Sequence, residues 1–114
     1  MKDDRLYLIH VLECVERIQS YIKGGKSRFD KDTKTQDAVI RNLQILAEST
    51  KRMSKRLKDQ HPKIDWNGMV GFRNILVHDY LGVDVDRVWE IVSHDLPLIK
   101  RQFQSIAGKI KRPS

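Results

Sequence analysis

A single cysteine, Cys14, in 114 residues leaves no partner for an internal disulfide and no second thiolate for a metal site. Standing alone, it reads as a small core hydrophobe, the usual fate of a free cysteine. No apolar run approaches the roughly 20 residues that cross a bilayer. The opening Met1-Lys2-Asp3-Asp4-Arg5 also lacks the layout of a secretory signal, so a soluble cytoplasmic chain with no membrane contact is expected. Period-two alternation and Asn-Gly hairpin turns are missing, which leaves nothing from which to build a sheet. His10, His61, His78 and His94 are scattered, with no His-x3-His spacing, so no metal is assigned. Gly24-Gly25 does not sit in the spaced glycine, lysine and hydroxyl pattern of a phosphate loop, and no serine occupies a nucleophile elbow. No cofactor is called for.

What the chain does have is charge. Hydrophobic residues make up 39% and charged residues 32%, a balance that suits one compact domain with a heavily charged surface rather than a disordered chain. The formal net charge of +7 favours polyanionic partners, because cations that neutralise phosphates release condensed counterions. Lys51, Arg52 and Lys55, followed by Arg56 and Lys58, form one basic stretch, and Lys109, Lys111 and Arg112 form another. The first three are candidate RNA contacts, although a charge run is also the ordinary solvated face of a helix.

Apolar residues recur at helical spacing. Leu8, Val11, Val15, Ile18 and Ile22 mark a first helix from about Asp3 to Lys23, ended by Gly24-Gly25. Residues Lys26 to Lys34 read as a loop with one apolar anchor, Phe29. Val39, Leu43, Leu46, Thr50, Met53 and Leu57 predict a second helix of about six turns, stopped at His61-Pro62. Asp65 is placed to cap a third helix carrying Trp66, Met69, Val70 and Leu76, with Gly82 as its end. Asp84 or Asp86 opens a fourth region, in which Val85, Val88, Val92, Leu96, Ile99, Phe103, Ile106 and Ile110 carry the stripe. Pro97 either kinks that region or follows an Asp95 cap in the first turn of a separate helix. The expected architecture is all-α: an antiparallel four- to five-helix bundle in a single domain over residues 1–110, with a basic flexible tail at 111–114. Tyr7, Tyr21, Ile40, Ile45 and Ile91 fall off the main seam, where some would be available to a dimer interface.

The chemistry is concentrated in Gly71-Phe72-Arg73-Asn74-Ile75-Leu76-Val77-His78-Asp79-Tyr80-Leu81-Gly82. On an ideal helix Asn74 and His78 share a face, and Arg73 and Tyr80, seven apart, nearly eclipse one another. An arginine fork can hold a phosphate, a histidine can move protons near neutral pH, and a tyrosine hydroxyl can donate a hydrogen bond. The same residue types near a helix end also cap carbonyls and offset the dipole, and spacing alone does not choose between these roles.

The order Arg73, four residues, His78, one residue, Tyr80 resembles the Arg-x4-His-x-Tyr motif of HepT-like toxins in the HEPN superfamily. Trp66, the Arg73-Asn74 pair, Leu81-Gly82-Val83-Asp84, Val88-Trp89, Asp95-Leu96-Pro97 and Glu48 are similar to the same family. The resemblance covers nearly the whole chain. It implies a metal-independent endoribonuclease of a type VII-like toxin–antitoxin system, acting as a homodimer whose motifs face each other across a cleft. Arg73 and His78 would then be catalytic. Asn74 would orient the histidine or the phosphate, unless it is simply a solvated helix residue. Asp79 ranks below it, since a carboxylate beside phosphate costs electrostatically. Glu48 would pair with Arg73, or else with another cation as an ordinary helix ion pair. The resemblance further implies a partner, an MntA-like minimal nucleotidyltransferase antitoxin, that attaches AMP to Tyr80. A non-catalytic helical partner of a nucleotidyltransferase and a basic RNA-binding module are the alternatives.

Overall fold

The structure, a computed structural model, describes residues 4–77 and 84–111, with the side chains of 74–77 and 111 also outside the description. Among the described residues every regular element is helical. Helix α1 (Asp4–Tyr21) buries Leu8, Val11, Cys14, Val15 and Ile18 along the predicted stripe. Burial pushes the Cys14 thiol above its ordinary range, the Arg17 charge opposing this, so the residue behaves as a packed hydrophobe. Gly25 takes φ +85°, a left-handed conformation open to glycine at no steric cost, and there the chain turns away from α1.

The predicted loop is instead a short helix, α2 (Gly25–Lys31). Seven residues are too few to display a period, and packing supplies what propensity does not. Phe29 is buried and lies 5.3 Å from the Trp89 ring. Lys26 bonds Asp30 at 2.7 Å within the helix and Asp86 at 3.0 Å across the fold; both hydrogen bonds raise its pKa. Asp32 then caps α3 (Thr33–Arg52), accepting from the Thr35 backbone N–H at 3.3 Å and from its hydroxyl at 2.8 Å. The hydroxyl bond chiefly, and the backbone bond after it, hold the Asp32 carboxyl below its usual range.

The expected six-turn second helix is broken. Helix α3 ends at Arg52, Met53 is extended, and Ser54 caps a separate helix, α4 (Lys55–Gln60). The Ser54 hydroxyl accepts from the Leu57 N–H at 3.1 Å and donates to Asp4 Oδ2 at 2.6 Å, while the Ser54 N–H donates to Asp4 Oδ1 at 2.8 Å. Met53 and Leu57 remain buried on either side of the break, which is why their rhythm conceals it. Replacing Ser54 by alanine removes the cap and the hydroxyl bond to Asp4 Oδ2, leaving only the backbone bond to Asp4 Oδ1, and is expected to cost about 1–2 kcal/mol in urea unfolding. A loss within error of zero would show that neither contact matters to stability.

Asp65 caps α5 (Trp66–Val77) as expected, accepting from the Gly68 N–H at 2.9 Å. The Trp66 indole N–H donates to the His61 carbonyl at 3.0 Å, and its ring tilts against Phe103 at 5.7 Å, fixing where α5 starts. Asp84 caps α6 (Val85–Glu90) through the Arg87 N–H at 3.2 Å. The run then continues through a π turn, Ile91–Asp95, into α7 (Leu96–Lys111). The wider turn accommodates Pro97, which lacks an N–H and crowds the carbonyl four residues back. Pro97 therefore sits in a continuous helical path, with Asp95 inside the helix rather than at a cap. The extra residue in the turn swings both Ile91 and Val92 inward, so Ile91, placed off the seam from sequence, is fully buried.

Helix α1 packs against α3 and α7, and α3 against α5. The Asp4–Ser54 tie joins the start of α1 to the end of α3, and Lys100 reaches Gln19 at 3.0 Å and Glu16 at 3.2 Å near the end of α1. Both pairs are thus antiparallel. Of the other off-seam residues, Tyr7, Ile40 and Ile45 are partly buried against the core, while Tyr21 is exposed. No helix among the described residues is long and apolar enough to cross a membrane.

Candidate active site

Two helices build the described part of the site. The Asp65 cap and the Trp66 anchor fix the start of α5, and two turns later Arg73 emerges toward α3. Glu48 meets it there: Glu48 Oε1 lies 2.7 Å from Arg73 Nη1. The contact is one of charge, since that oxygen is buried and accepts no aligned hydrogen bond among the described residues. A guanidinium carries five N–H donors, more than one carboxylate oxygen can engage. Arg73 keeps 48% of its side-chain surface exposed, enough for a ligand to reach it. An ion pair this open to solvent adds little stability, so its effect is to hold the guanidinium at a defined place.

Glu48 also lines a groove of about 290 Å³ between α1 and α3. Arg41, Gln44, Ile45, Glu48, Ser49 and Arg52 come from one face of α3, at spacings of three and four, and Tyr7 and His10 from α1 complete the lining. The Tyr7 and His10 rings meet edge to face at 6.4 Å. Of the three basic residues proposed as RNA contacts, Arg52 lies in this groove. Lys51 is exposed and its carbonyl accepts from Lys58 Nζ at 3.2 Å. Lys55 pairs with Asp59 at 2.8 Å; that hydrogen bond raises its pKa and takes up its charge locally. A larger depression of about 550 Å³, lined by Gly68, Gly71 and Phe72 of α5 together with Arg87, Asp95 and Leu98, does not include Arg73.

The structure therefore brings Arg73 and Glu48 together, with Arg52 in the groove that Glu48 borders. Asn74 lies in α5, but its side chain is outside the described residues, as are His78, Asp79 and Tyr80 altogether. From sequence, Tyr7 stood out only as an off-seam residue available to a dimer interface and His10 only as one of the scattered histidines, while Arg41 and Gln44 were not singled out. The three-and-four spacing from Arg41 to Arg52 was legible, but nothing local shows that α1 lies across it. No cluster of three or more His, Cys, Asp or Glu side chains forms among the described residues.

The family model for ribonuclease HepT-like proteins matches residues 11–106. The chain belongs to the HepT-like ribonuclease family. A protein of Thermococcus cleftensis named probable ribonuclease HepT is 38% identical over 101 residues, spanning 88% of this chain and 92% of that one. The mRNA nuclease HepT of Shewanella oneidensis is 30% identical over 110 residues, spanning 75% of this chain and 82% of its own. The chain also matches a Methanocaldococcus jannaschii protein whose name couples gamma-glutamylcyclotransferase with an RNase assignment, at 34% identity, but spans only 50% of its length. Among solved structures, the tri-AMPylated Shewanella oneidensis HEPN toxin in complex with its MNT antitoxin superposes with a TM-score of 0.66 at 29% identity, over 97% of this chain and 98% of that one. A second toxin–antitoxin crystal structure, with AMP-PNP, gives 0.69 at 28% identity over 99% and 100%. The all-helical fold expected from sequence is thus that of HepT-like toxins. In this HepT-like chain the motif arginine is Arg73, the one described member of the Arg-x4-His-x-Tyr motif.

Proposed function

We propose that this chain is a cytoplasmic, metal-independent endoribonuclease toxin that works as a homodimer and is silenced by AMPylation of Tyr80. The observation that carries the reading is the half-exposed Arg73 guanidinium, placed by Glu48, in a HepT-like chain. Cleavage by the RNA's own 2′-hydroxyl needs a proton acceptor, a proton donor and a cation to hold charge at phosphorus. In the proposed step His78 takes the 2′-hydroxyl proton as that oxygen attacks phosphorus. The bond to the 5′-oxygen breaks, and the partner's His78 protonates the departing oxygen. Arg73 clamps the non-bridging oxygens throughout. Asn74 orients the imidazole or the phosphate, and Asp79 supports the histidine from the adjacent position.

Purified protein is expected to cleave single-stranded RNA in excess EDTA at the rate seen without it. Mixed dimers carrying one His78→Ala chain are expected to be inactive, since each cleavage uses both imidazoles. Chelator-sensitive cleavage would contradict the metal-free reading, and mixed dimers with about half the parental activity would show that each protomer works alone.

Tyr80 lies seven residues from Arg73, so an adenylate on its oxygen would place bulk and negative charge where the RNA phosphate binds. The proposed modifier is an MntA-like nucleotidyltransferase, the kind of partner with which the related Shewanella toxin was crystallised. Incubated with that enzyme and radiolabelled ATP, Tyr80→Phe is expected to take up no label and to stay toxic when the two are expressed together. Labelling at the parental level would move the acceptor elsewhere.

A further inference from the structure

The groove between α1 and α3 has no role in the reading above, yet its chemistry is specific. Two half-buried rings, Tyr7 and His10, stand on one wall, and Arg41, Gln44 and Arg52 line the other. No ion pair among the described residues engages Arg41 or Arg52, whereas Glu48, the groove's one carboxylate, is committed to Arg73 at 2.7 Å. The uncompensated charge of the groove is therefore positive. Arg41 and Arg52 are eleven residues apart on one helix face, about 16 Å along the axis, so they would meet different phosphates. A volume of about 290 Å³ sits at the small end of ligand sites, suited to one nucleotide rather than to a duplex. Rings for stacking, a side-chain amide for a base edge and flanking cations are the parts from which single-strand sites are made.

We propose that this groove is a nucleotide subsite, in which Tyr7 stacks a base of single-stranded RNA, His10 standing edge-on to the Tyr7 ring and bordering the base, while Arg41 and Arg52 hold its flanking phosphates. Glu48 joins the subsite to the scissile position, since it lines the groove with one side and contacts Arg73 with the other. The inference rests on the ribonuclease reading for its substrate, and it assigns the residues that hold RNA beside the bond that is cut.

The test measures binding of a fluorescein-labelled single-stranded RNA by anisotropy in the His78→Ala background, where the probe survives. Tyr7→Leu keeps the apolar packing of Tyr7 against the core but removes the stacking face, and is expected to weaken binding about tenfold. Arg41→Gln and Arg52→Gln, both at exposed positions, are each expected to lower the salt dependence of log K by about 0.7. With His78 intact, the same variants are expected to raise KM and leave kcat near the parent's. If all three bind and cleave like the parent, the subsite is wrong and the ribonuclease reading stands. If the parent neither binds nor cleaves RNA, both fall. If the variants leave RNA affinity unchanged but dissociate the protein in sedimentation, the groove is covered by a second copy of the chain, and the proposal is overturned.

Discussion

Replacing His78 by alanine is expected to lower RNA cleavage by about 10²–10⁴-fold, the contribution of a positioned proton-transfer group. The reasoning starts from the residue inventory of the motif. A guanidinium carries a permanent charge and no lone pair to accept a proton, and a phenol serves chiefly as a hydrogen-bond donor near neutrality. His78 is the one motif side chain whose ordinary titration range spans neutrality. Its removal takes away both proton transfers of the proposed dimeric site at once, one from each protomer. Circular dichroism and the thermal midpoint are expected to stay close to the parent's, because the loss is one of proton transfer rather than of folding. Cleavage by His78→Ala within a few-fold of the parent would assign the proton transfers to other groups.

The second large effect is on stability. Phe103→Ala is expected to cost about 3–5 kcal/mol in denaturant unfolding, while Phe103→Leu, nearer in volume, is expected to cost less. Phe103 is fully buried, and its ring lies 5.7 Å from Trp66, whose indole N–H is tied to the His61 carbonyl. Truncation would empty the space between α7 and the start of α5, and so loosen the element that aims Arg73. For a domain whose whole stability is on the order of 5–15 kcal/mol, that loss is from about a fifth of the total to all of it. A cost below about 1 kcal/mol would mean that the cavity collapses freely and that the ring does not anchor α5.

Much of this was legible because the seams are periodic and the caps are local. Val88 to Ile106 keeps its rhythm through the last helices, and Asp65 and Asp84 each bond a backbone N–H three residues on. The Glu48–Arg73 pair was also visible, through the resemblance to HepT-like toxins rather than through spacing. What escaped depends on partners far along the chain. Helix α2 is fixed by Phe29 against Trp89 and by Lys26 to Asp86, 60 residues away, and the break at Ser54 by Asp4, 50 residues away. The π turn reflects a proline accommodated inside a continuous helix, a choice between two readings that sequence left open. The groove was invisible for the same reason: Arg41 to Arg52 form a plain charged face until α1 sets Tyr7 and His10 opposite them.

The chemistry of the cut ends tests the account most directly. Mass spectrometry of a short RNA incubated with the protein in EDTA is predicted to find a 2′,3′-cyclic phosphate on one fragment and a free 5′-hydroxyl on the other. The corresponding strand with a 2′-deoxy sugar at the cut site should stay whole. Fragments ending in 3′-hydroxyl and 5′-phosphate, or cleavage of the deoxy-substituted strand, would mean that water rather than the RNA's own hydroxyl attacks, and would contradict the acid–base mechanism assigned to Arg73 and His78.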